Sequence, residues 1–264
     1  MFKSLSFSMG KESKRNYILV CEVLFREFMH CVAHSHKIAD IEFISQGWHD
    51  LESSEMKRRL QEKIDSIDES RYGAILLGFG LCNNGTAGLE ARKIPVVIPK
   101  VHDCISILLG SHEKYLDNFS DAPGTYYLSS GWIERDSANL EDMKNTVMSK
   151  LGLDMTYDQY VEKYGKENAD FIMESLGGGM SNYEKMIFVN NGLGNVEFYR
   201  NFTRSRAEEN NLKFEEMEGG LDFVRKMVDG DWNSTDFLVI EPGCKMVATG
   251  LCDIMKLEKC NCGK

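Results

Sequence analysis

The 264-residue chain contains no apolar run near the ~20 residues that cross a bilayer, so no membrane span is expected. Its first stretch, MFKSLSFSMGKESKRNY, has positive charges but no continuous apolar segment, and it does not read as a signal peptide. Positive charge is in deficit overall, with 31 Lys and Arg against 41 Asp and Glu and a formal net charge of −10. General nucleic-acid binders carry a basic face, so that class is not expected. The G-x-x-x-x-G-K-[ST] and G-x-G-x-x-G nucleotide loops are missing, as is the G-x-S-x-G nucleophile elbow. No C-x-x-C ligand pair occurs, and there is neither a short-period repeat nor a low-complexity segment. These absences lead to the expectation of a cytoplasmic globular protein.

What is present is an alternation of strand and helix signals. The hydrophobic fraction of 42% suffices for a real core. NYILVCEV (16–23) reads as a buried strand, and Leu24, Phe25, Phe28, Met29 and Val32 then recur at helical spacing. IADIEFISQ (38–46) is the next strand, followed by a helix with Met56, Leu60, Ile64 and Ile67 on one face. YGAILLGFG (72–80), a short helix TAGLEARK (86–93), IPVVIPK (94–100), a helix ISILLGSHEKYLDNF (105–119) and a strand GTYYLSS (124–130) complete the first half. The same rhythm returns from residue 185: strand KMIFVN, helix VEFYRNFTRSRAEENN, strand LKFEEME, helix LDFVRKMVDG and strand DFLVIEPG. The expected class is α/β, with two Rossmann-like lobes of mostly parallel sheet facing a shared cleft. The expected divisions are 1–133 for the first lobe, 134–182 for a helical bridge and 183–264 for the second lobe.

Ligands of open parallel sheets bind beyond the carboxyl ends of the strands, and those ends carry soft donors. Cys21 and Glu22 end the first strand. Gly80, Cys82, Asn83, Asn84 and Gly85 follow the third. His102, Asp103 and Cys104 follow the fourth, and Cys244 follows the last. Thiolate with imidazole suits zinc, and thiolates alone suit zinc or an iron–sulfur cluster. Cys82, His102 and Cys104 are therefore candidate metal ligands, with Cys21 or Cys244 as the fourth. Asp103 and Glu22 are the candidate catalytic carboxylates, Asp103 placed to orient a neighbour. The competing reading packs Cys21 and Cys82 as small core residues and gives His102 a loop hydrogen bond. A third uses Cys104 as a nucleophile beside His102 without metal. GFGLCNNG (78–85) also has the form of a glycine-rich anion cradle, and Asn190, Asn191 and Gly192 of NNGLGN repeat it in the second half; both stretches equally suit tight turns between strand and helix. Cys31 reads as a packed helix residue, His30 and His34 as a solvated pair, and Cys260 and Cys262 as tail thiols.

Several segments resemble one family. CEVLFRE (21–27), FISQGWHD (43–50), AILLGFGLCNNGTAGLEAR (74–92), IPVVIPKVHDCISILLGS (94–111) and PGTYYLSSGWIE (123–134) are similar to the DUF1638 family, as are GGLDFVRKMVDG and DFLVIEPG. The resemblance spans about 16–247. It implies an anaerobic bacterial or archaeal setting beside corrinoid-dependent methyltransferases. The expected task is then methyl transfer in one-carbon metabolism, or the non-catalytic binding or delivery of a corrinoid or metal to a methyltransferase partner.

Overall fold

The computed structural model describes residues 14–110, 124–135, 157–175, 183–249 and 254–260. In chain order the strands are β1 (Arg15–Cys21), β2 (Ala39–Ile44), β3 (Tyr72–Gly78), β4 (Val96–Pro99), β5 (Thr125–Ser129), β6 (Lys185–Asn190), β7 (Lys213–Glu218), β8 (Phe237–Ile240), β9 (Cys244–Ala248) and β10 (Met255–Lys259). The helices are α1 (Phe25–His34), α2 (Ser53–Ser66), α3 (Cys104–Leu109), α4 (Ser130–Glu134), α5 (Tyr157–Tyr164), α6 (Lys166–Ser175), α7 (Val196–Glu209) and α8 (Asp222–Asp229).

The larger sheet runs β2-β1-β3-β4-β8. Its central strands carry continuous apolar runs because both faces are covered there. Ile18, Leu19 and Val20 of β1, Ile75, Leu76 and Leu77 of β3, and Val96, Val97 and Ile98 of β4 are all fully buried. β1 pairs in parallel with both β2 and β3, and β3 pairs in parallel with β4. α2 covers the sheet with Met56, Leu60 and Ile64, spaced four residues apart and buried together. A second sheet, β5-β6-β7, is parallel throughout. β9 and β10 form a separate antiparallel pair. The class is thus mixed α/β with parallel sheets. Among the described residues, no helix is long and apolar enough to cross a membrane.

The sheets exchange strands across residue 133. β5, which precedes that point, pairs with β6. β8 joins the larger sheet, antiparallel to β4, with Val97 opposite Val239 and Ile98 opposite Leu238. The apolar run FLVI thereby covers the edge that β4 would otherwise expose. Within 134–182, α5 and α6 are described, while 136–156 and 176–182 lie outside the described residues.

The short helix expected over TAGLEARK does not form. This stretch bonds to β9 instead: Gly88 N donates to Met246 O (2.7 Å), Met246 N to Leu89 O (2.9 Å) and Ala91 N to Cys244 O (3.2 Å). Its backbone groups are spent on a neighbour far along the chain, so no helical ladder is needed to satisfy them. The helix expected over 105–119 is described only as α3, and 111–119 lie outside the described residues.

The loops after β6 and β7 touch α1 and α3, the helices that follow β1 and β4. Asn191 Nδ2, just beyond β6, donates to Glu27 Oε1 on α1 (3.0 Å). Gly220 N, just beyond β7, donates to Leu108 O on α3 (2.9 Å).

Candidate functional site

Three of the predicted ligands converge. Cys21 closes β1, Cys82 lies in the loop after β3, and Cys104 opens α3; all three are buried thiols, with relative exposures of 1%, 8% and 3%. Charge on one is felt by the others, since Cys82 acts on Cys21 and both act on Cys104. Burial is the main influence on each. It pushes the Cys82 thiol up to about 12, partly offset by a backbone hydrogen bond at Gly80. It also raises Cys21 and Cys104 well above the ordinary thiol value. Asp103 adds to the rise at Cys82 and Cys104.

The backbone explains the convergence. Beyond the end of β3, Leu81 N donates to Val101 O and Cys82 N to His102 O, both at 2.9 Å, so the tips of β3 and β4 stay joined past the sheet. The contact is close enough that a Cβ on Gly80 would fall 2.7 Å from Asp103 N. Only glycine fits there without a shift. Cys82, Asn83 and Asn84 then take φ values of 46°, 53° and 63° in succession. Left-handed backbone costs an L-residue roughly 1–2 kcal/mol, less for asparagine, and strain of this kind gathers at functional sites. Ser53 Oγ holds the turn by donating to Asn83 O (2.8 Å).

The N–H groups of Leu81, Cys82, Gly85, Thr86 and Ala87 are all bonded to carbonyls, and the Asn83 and Asn84 side chains are exposed. Gly80 and Gly85 serve packing, Gly80 against Asp103 and Gly85 against Met56.

The remaining candidates occupy separate places around this edge. Asp103 caps α3, its Oδ1 accepting from Ile105 N (3.0 Å) and Ser106 N (3.3 Å). Glu22 Oε1 accepts from Gln46 N (2.8 Å) and so ties the tips of β1 and β2. The His102 side chain is exposed, and its carbonyl is what reaches Cys82. Cys244 is half-buried on β9, opposite Lys259. Among the described residues, no three His, Cys, Asp or Glu side chains are arranged to hold a metal ion.

Asn190, Asn191 and Gly192 line a cleft of about 520 Å³ together with Glu216, Glu218, the 219–221 turn and Arg225. Asn190 Nδ2 donates to Glu216 Oε1 (2.8 Å), and Asn190 Oδ1 accepts from Gly192 N (2.9 Å). The Asn191 side chain reaches Glu27 on α1, six residues past Cys21. The burial of Glu27 was not legible in the sequence. Its one signal is position, a carboxylate four residues before the buried Cys31 on the same face of an amphipathic helix. Its burial pushes the carboxyl above the usual range, against the lowering effects of its own backbone N–H and of Asn191.

These features define an α/β protein with a buried three-thiol cluster at the carboxyl edge of one parallel sheet and a polar cleft at that of another. The chain belongs to the DUF1638 family, described as "Protein of unknown function (DUF1638)", whose model matches residues 43–228. No curated protein and no solved structure matches it.

Proposed function

We propose that the chain is a metal–thiolate protein, with Cys21, Cys82 and Cys104 taking zinc or an iron–sulfur cluster. The observation that carries this reading is that three buried thiols, from β1, the β3 loop and α3, stand at one edge of the larger sheet, where Cys21 and Cys82 both act on Cys104. Because the thiols do not form a ready cage, binding requires side-chain rotation and movement of the left-handed 82–84 turn. His102, turned inward, or Cys244 would supply a fourth donor. A bound metal would hold a thiolate at neutral pH and present it to an electrophile.

The task that fits this chemistry and the family resemblance is methyl transfer in one-carbon metabolism on a small-molecule or corrinoid-linked substrate. Delivery of a corrinoid or metal to a methyltransferase partner uses the same ligands, and turnover of a methyl donor separates the two. The metal-free nucleophile is disfavoured, because burial keeps Cys104 protonated and a thiol is a poor nucleophile. Metal content of anaerobically prepared protein tests the reading. Stoichiometric metal lost in Cys82→Ser supports it, and metal-free wild-type protein overturns it.

A further inference from the structure

Among the described residues, Glu27 is the one buried carboxylate, with 1% of its surface exposed. One oxygen accepts from Asn191 Nδ2 (3.0 Å), while Oε2 is buried with no hydrogen-bond partner. Asn191 Oδ1 is likewise buried and unpartnered. It lies so close to the β7–α8 turn that a Cβ on Gly219 would fall 1.6 Å from it. Gly219 N in turn donates to Asn190 O (3.0 Å). The two loops that line the 520 Å³ cleft are therefore joined to each other and, through one hydrogen bond, to a buried acid on α1.

Burial outweighs the groups around Glu27 that favour its ionised form. Arg26, its neighbour on α1, is committed to Glu134 of α4 (Nε to Oε2, 2.8 Å), and Tyr199 of α7 bonds the same carboxylate. Arg26 still lowers Glu27 and Glu134 raises it less; burial is what holds the proton on. One turn along α1 is Cys31, which feels Arg225, Asp222 and Asp229 of α8. Ionised Glu27 would leave Oε2 as bare charge in the interior, which costs far more than a neutral carboxyl at the same place.

We propose that Glu27 is a proton-linked latch for this cleft: protonated, it lets α1 close against Asn191; ionised, it drives the 190–192 and 219–221 loops open. The inference stands independently of the thiol reading. The sign comes from linkage. Folded Glu27 holds its proton above the ordinary carboxyl value of 4.5, so closure is complete below that pH and is lost as pH rises through the folded value.

Hydrogen–deuterium exchange of peptides spanning both loops tests this from about pH 5 to about pH 9, after correction for intrinsic rates. Wild-type protection should fall with pH, by up to about tenfold per unit, and Glu27→Gln should show no such slope. Flat wild-type protection, or an equal slope in Glu27→Gln, overturns the proposal. If Glu27→Gln fails to fold, infrared titration of the wild type decides. A buried protonated-carboxyl band that disappears as the loops lose protection supports the latch, and its absence at about pH 5 refutes it.

Discussion

Lowering the pH by one unit should weaken metal binding about a thousandfold. The magnitude comes from the thiols. Cys21, Cys82 and Cys104 are all held protonated at neutral pH by burial, Cys82 with a value of about 12. A metal takes thiolates, so each ligand must release its proton on binding. Each proton contributes a factor of ten per pH unit, about 1.4 kcal/mol. Three together give about 4 kcal/mol per unit. Exposed thiols would flatten this dependence above their ordinary value of 9.0, whereas burial carries it further. Competition against a chromophoric chelator at about pH 6, 7 and 8 measures the slope. Calorimetry in buffers of different ionisation enthalpy counts the protons directly. A slope of one proton or fewer would refute convergence of three thiols on one ion.

The same geometry sets other outcomes. Gly80→Ala should destabilise the protein by about 1–3 kcal/mol through overpacking against the Asp103 backbone, seen as a lower Tm; an unchanged Tm would mean the two loops are not in that contact. Metal-free protein should lose stability above about pH 9, because Cys82 keeps its proton in the folded state up to about 12 while the unfolded chain ionises from 9.0; denaturant titrations should show the loss shrinking in Cys82→Ser. Leu60→Ala, which empties a fully buried site beneath the larger sheet, should cost about 2–5 kcal/mol by the same assay without altering the pH slope of metal binding.

Much of this arrangement was readable from residue order. β1, β3 and β4 are apolar runs that stop at glycines or polar turns, and a parallel sheet sets the loops after such strands along one edge. That rule brought Cys21, Cys82 and Cys104 together without any spacing motif. The same rule could not say which way a side chain turns, and His102, two residues from Cys104, faces outward. β8 was recognised as a strand, but FLVI carries no mark of its sheet or direction, and it pairs antiparallel with β4. TAGLEARK failed as a helix because its backbone bonds to β9, and the β9–β10 pair went unseen because CKMVA and MKLEK mix charged with apolar residues. The burial of Glu27 was hidden for a different reason. A carboxylate on a helix is ordinarily solvated, and only the arrival of Asn191 from 164 positions away shows that this one is enclosed.

Elemental analysis of anaerobically purified protein decides whether the three buried thiols hold a metal. Zinc and iron are supplied during expression, and the wild type is compared with Cys82→Ser, Cys104→Ser and Cys31→Ser, each checked for folding by circular dichroism. The account predicts stoichiometric zinc or iron in the wild type and in Cys31→Ser, and loss of most of it in the other two. Folded wild-type protein without stoichiometric metal, or retention of metal in both Cys82→Ser and Cys104→Ser, would contradict it.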